Sequence, residues 1–87
     1  MSPEERFGRR LRLLRKLKGL TQEALAEKAG LEYKYIQMLE GKKPPSPTLR
    51  TLTKIAGAFN MTVVRLVDFH ASRAARTTSK RLKAAED

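Results

Sequence analysis

Apolar residues recur at helical spacing through most of the chain and never alternate with period two, so the pattern predicts a series of short helices and no strand. Phe7, Leu11, Leu14 and Leu17 follow at steps of four, three and three, a stripe on one side of a first helix. Ahead of them stands Ser2-Pro3-Glu4-Glu5. This is the order of a helix start: a capping serine, a proline at the first helical position, and an acid where a capping box needs one. Gly19 closes the helix. Thr21 caps a second one, Gln22 to Ala29, with Leu25 and Ala26 inward, and Gly30 stops it, since glycine takes the left-handed conformation without steric cost. A third helix begins at Tyr33, with Ile36 and Leu39 on its core side.

After Gly41 the chain enters the basic, proline-stiffened loop Lys42-Lys43-Pro44-Pro45. Ser46-Pro47 then repeats the cap-and-proline signal and predicts a fourth helix with Leu49, Leu52, Ile55, Ala56 and Phe59 on one face. Asn60 interrupts, Thr62 caps, and Val63 to Phe69 reads as a short fifth helix. Beyond His70 the only large apolar residue is Leu82, and 71–87 reads as a basic tail, solvated or partly helical. The expectation is an all-α fold: a compact five-helix domain over 1–70 followed by that tail.

Charge narrows the field of functions. The net charge is +10, and it is unevenly spread. Residues 1–20 hold seven cations against two acids, whereas 21–45 are balanced, with Lys28, Lys34, Lys42 and Lys43 facing Glu23, Glu27, Glu32 and Glu40. A positive field attracts any polyanion, and counterion release makes such binding salt-dependent. There is no cysteine and only one histidine, His70, and the acids lack metal-ligand or paired-carboxylate spacing. An enzyme, a metal site and an organic cofactor are therefore not expected, nor is a small-molecule ligand. No apolar run is long enough to cross a bilayer and the N-terminus lacks the form of a secretion signal, which predicts a soluble cytoplasmic protein.

Two short helices around Gly30 have the outline of a helix-turn-helix. Ala26 lies one turn into the first helix, where the second must cross closely. Gly30 occupies the turn, and Leu31, Ile36 and Leu39 supply the apolar side of the second helix. With Leu20-Thr21-Gln22-Glu23-Ala24-Leu25-Ala26 and the later Leu49-Arg50-Thr51-Leu52…Ile55-Ala56, this combination resembles the lambda-repressor/Cro family, the Xre-type regulators. The likeness runs from about Phe7 to Phe69. It departs where Glu40 meets Gly41 directly, where the loop to Pro47 is longer than usual, and where Tyr33 and Tyr35 replace small polar residues.

The resemblance implies a lambda-repressor-like DNA-binding domain, with the motif over about 22–41 and a recognition helix of about 32–40 in the major groove. It also implies an ion pair between Arg15 and Glu40 that ties the first helix to the end of the third. Docking geometry gives base edges the first turn of that helix and the outward positions one turn on. These are Glu32, Tyr33, Lys34 and Gln37, with Met38 beside them. Lysine suits guanine, glutamine adenine, and glutamate the amino group of cytosine. Gln22, Tyr35, Lys42 and Lys43 are candidates for phosphate. The other arginines of the first helix are expected to supply field more than contacts.

The fifth helix carries more apolar residues than one buried stripe needs. Val63, Val64, Val67 and Phe69 are thus candidates for a homodimer interface on a palindromic operator. A protein-interaction module, an antitoxin or anti-repressor built on the same fold, is the alternative; exposed tyrosines suit it. A basic RNA binder ranks below both.

Overall fold

The structure is a computed structural model that describes residues 1–69, so His70 and the basic tail expected over 71–87 lie outside the described residues. Those residues form five helices in chain order and no strand: α1 (Pro3–Leu17), α2 (Gln22–Ala29), α3 (Tyr33–Leu39), α4 (Leu49–Ala58) and α5 (Val63–Leu66).

Four of the five starts, all but that of α3, are set by a side chain that satisfies backbone N–H groups a nascent helix leaves without partners. At α1 the capping box is complete: Ser2 Oγ accepts from the Glu5 N–H at 3.1 Å, and Glu5 Oε1 accepts from the Ser2 N–H at 2.8 Å. The bond from the Ser2 N–H to its charged form does most to hold the Glu5 carboxyl below its ordinary value. Thr21, Thr48 and Thr62 cap α2, α4 and α5 in the same manner. Gly30 ends α2 with φ of 68°, and the Leu31 N–H returns to the Ala26 carbonyl at 2.9 Å, which turns the chain directly into α3.

The helices close on a single core. Phe7, Leu11 and Leu14 of α1, Leu25, Ala26 and Ala29 of α2, Ile36 and Leu39 of α3, and Ile55, Ala56, Phe59 and Leu66 complete it. Tight packing of this kind leaves little room for a larger residue at position 26, where α2 meets its neighbours.

Three expectations need correction. Leu17 is 73% exposed and not part of the stripe. At 100° per residue it falls about 80° to one side of Phe7, while Arg15 falls about 80° to the other, and only the Arg15 side is covered by α3. The fourth helix opens at Thr48 and not at Ser46-Pro47, because Pro44, Pro45 and Pro47 hold that run extended and Thr48 supplies an equivalent cap. Leu49 then stands at the first turn, beyond the edge of the core, and is 71% exposed. Finally, α5 ends at Leu66, short of Phe69. The Arg65 and Leu66 carbonyls, which a continuing helix would offer to residues 69 and 70, instead accept from the Arg10 guanidinium at 2.6 and 3.2 Å.

Candidate nucleic-acid interface

The third helix is only seven residues long and has no capping side chain, so it owes its position to its neighbours. Ile36 and Leu39 are fully buried and fix its rotation. With those two inward, Glu32, Tyr33, Lys34, Gln37 and Met38 are all exposed. Four of them are the sequence-derived candidates for base contact: Tyr33, Lys34 and Gln37 share the outward face of the helix, and Glu32 stands at its N-cap. Gln37 Nε2 donates to Tyr33 Oη at 3.0 Å, one turn apart, so these two side chains present a joined polar surface. Glu32 is the N-cap residue of α3 but makes no side-chain capping bond, which leaves its carboxylate facing solvent.

Behind this face lies a buried polar node. Arg15 Nε donates to Glu40 Oε2 at 2.8 Å and Arg15 Nη2 to Glu40 Oε1 at 3.0 Å, a two-pronged pair with side chains 11% and 3% exposed. Arg15 Nη1 reaches the Leu20 carbonyl at 2.8 Å, and Gln22 Nε2 donates to Glu40 Oε1 at 3.1 Å. Every prong of the node therefore finds a partner, which is what makes a buried charge tolerable. The bonds to Glu40 raise the Arg15 pKa above its ordinary value, against the opposing effect of burial. The Arg15–Glu40 pair expected from the sequence is present, and it joins α1, the entry of α2 and the exit of α3.

The phosphate candidates are less uniform. Lys42 and Lys43 are exposed just past α3. Gln22 stands at the first position of α2 but has one amide hydrogen engaged with Glu40, leaving its other hydrogen and its oxygen for a ligand. Tyr35 is half-buried and packs against the core, so it contributes to the fold as well as to the surface. Of the apolar residues on and after α5, Val64 is 77% exposed, whereas Val63, Val67 and Phe69 are half-buried against the core.

Two structural residues were not foreseen. Gly8, inside α1, touches the backbone at the end of α3: a Cβ built on it would overlap the Leu39 carbonyl. A glycine in a helix interior costs about 1 kcal/mol, so it is itself a signal of close approach. Arg10, expected to supply field, ties α1 to the carbonyl end of α5 and has no comparable signal in the sequence.

Such an arrangement, a short helix held from behind with polar side chains outward and a tight glycine turn before it, is the build of a helix-turn-helix. The helix-turn-helix family model matches residues 11–66, and the chain belongs to this family, in its lambda-repressor (Xre) type. It is similar to the HTH-type transcriptional regulator SinR of Bacillus subtilis, 33% identical over 62 residues, which cover 71% of this chain and 56% of that one. It is also similar to the immunity repressor protein of Bacillus phage phi105, 40% identical over 60 residues, 69% of this chain and 41% of that one. The chain thus spans about half the length of these curated relatives. Among solved structures it resembles the restriction-modification controller protein C.AhdI from Aeromonas hydrophila, with a TM-score of 0.68 and 36% identity, covering 72% of this chain and 94% of that one. The clp gene regulator ClgR from Corynebacterium glutamicum shares the fold, with a TM-score of 0.73 at 24% identity, covering 98% of this chain and 89% of that one. The family and these relatives are regulators and not enzymes. Among the described residues no helix is long and apolar enough to cross a membrane, and no cluster of acids and histidines has the form of a metal site.

Proposed function

We propose that this protein is a sequence-specific DNA-binding transcriptional regulator that lays α3 in the major groove and acts as a homodimer on a palindromic operator. The observation that carries the reading is the division of α3: Ile36 and Leu39 fully buried, Tyr33, Lys34 and Gln37 together on the outside. A helix anchored along one side and polar along the other is suited to present hydrogen-bonding groups to base edges. In this reading Glu32, Tyr33, Lys34 and Gln37 touch bases, while Gln22, Tyr35, Lys42 and Lys43 hold the backbone. The repressor and controller names of its relatives support a regulatory role. Val64 is the center of the proposed dimer contact, with Val63, Val67 and Phe69 around it.

Selection of binding sites from random duplex DNA tests the reading. The native protein should recover one palindromic sequence, and Lys34→Ala and Gln37→Ala should each relax the preference at one position of the half-site, by about 1–3 kcal/mol of discrimination. Tight binding without a preferred sequence would overturn it and favour a protein-partner module. Light scattering that finds a monomer at high concentration, with and without the selected duplex, would remove the dimer.

A further inference from the structure

A cleft of about 310 Å³ opens between the outer side of α1 and the chain leaving α3. Gly8 and Gly41 lie in its lining, where α1 and the end of α3 come close. Arg9 and Arg12, one turn apart on α1, and Lys42 on the opposite wall bring three exposed cations to it. Two acids also line it, but both are engaged: Glu40 is held by Arg15 and Gln22, and Glu5 accepts from the Ser2 N–H. Of the three cations, Arg9 lies close enough to Glu5 to help hold its carboxyl charged, and among the described residues none is tied up in side-chain bonds like those of Arg10 and Arg15. The cleft is thus a concave site of positive charge that begins at Glu40 and Gly41, where the recognition helix ends.

We propose that the cleft formed by Arg9, Arg12 and Lys42 holds a phosphodiester of the DNA backbone beside the half-site read by α3. This rests on the DNA-binding reading and extends it to α1, whose arginines the sequence offered only as a source of field. A guanidinium pair on one wall and an ammonium on the other match the charge and the oxygen acceptors of a phosphate. The shared border at Glu40 links the two functions: the node that fixes the end of α3 also fixes one edge of the cleft. A phosphate seated there sets the register at which the α3 side chains meet the bases.

The test uses the full chain and the duplex it selects, with a single neutral methylphosphonate placed at each backbone position in turn. In the native protein one position beyond those held by Gln22, Tyr35 and Lys43 should lose about tenfold in affinity, the scale of one charge-assisted phosphate contact. The Arg9→Ala/Arg12→Ala variant should bind the unmodified duplex about tenfold more weakly or worse, and substitution at that same position should then cost clearly less than in the native protein, since only Lys42 still faces that phosphate. A variant of equal charge, Lys16→Ala/Lys54→Ala, should keep the native profile. All four residues are exposed, and unchanged melting temperatures check that the fold is intact. If the Arg9/Arg12 variant retains the native methylphosphonate profile, or loses stability in place of that profile, the cleft assignment is overturned and these arginines act by field or for the fold. A native protein that selects no duplex overturns the DNA reading itself and the assignment with it, so the two failures are told apart.

Discussion

Helix α1 uses an arginine on each of two seams, and they work in different ways. Toward α3, Arg15 is buried and faces a carboxylate that is more buried still. Toward α5, Arg10 is half-buried and, among the described residues, donates to backbone carbonyls at a helix end. A charge taken out of water needs a countercharge with good geometry, and losing either partner strands the other. A charge that keeps water on one side needs only the partial negative charge of a helix terminus. The α3 seam therefore specifies its partner strictly, and the α5 seam leniently.

Breaking the strict seam should have the largest effect. Arg15→Ala is expected to lower stability by about 3–5 kcal/mol, roughly 15 °C or more in a domain of this size, measured by thermal melting. Arg15→Met/Glu40→Leu should recover much of that loss, because no charge is then left buried; a double variant no better than the single one would contradict the account. Gly8→Ala comes next, at about 1–3 kcal/mol, since its Cβ must push back the Leu39 carbonyl. The lenient seam should give less: Arg10→Ala about 1 kcal/mol, with Arg10→Lys close to native, whereas Arg15→Lys should remain clearly destabilised for lack of a second prong. Equal tolerance of lysine at both positions would erase the contrast.

The smallest effect concerns pH. Hydrogen bonds from Ser2 place the Glu5 carboxyl below its ordinary 4.5. Its contribution is then complete above that value and disappears as pH falls through the lowered one. Glu5→Gln keeps an acceptor for the Ser2 N–H but does not titrate, so the acid side of its melting curve should be shallower than that of the native protein. Parallel curves would assign the acid loss to other carboxylates.

Much of the fold was legible because its signals are local. Caps at Ser2, Thr21 and Thr62 and the turn at Gly30 each act over three or four residues, and the inward positions of α2 and α3 follow from periodicity alone. What failed depended on distant residues. The end of α5 is decided by Arg10, more than fifty residues earlier in the chain, and Leu17 is exposed because α3 covers the opposite flank of α1. At the interface, the outward face of α3 could be read from Ile36 and Leu39. The engagement of Gln22 by Glu40 could not, since it requires knowing that the entry of α2 and the exit of α3 meet.

The brevity of α3 has a consequence for information. Seven residues at 1.5 Å each extend about 10 Å, the height of about three base pairs stacked at 3.4 Å. A word of three letters recurs by chance about once in 64 positions, too often to mark one place in a genome. Two copies of the helix facing each other would read about six letters, and every further bit must come from spacing, from DNA shape, or from contacts outside α3.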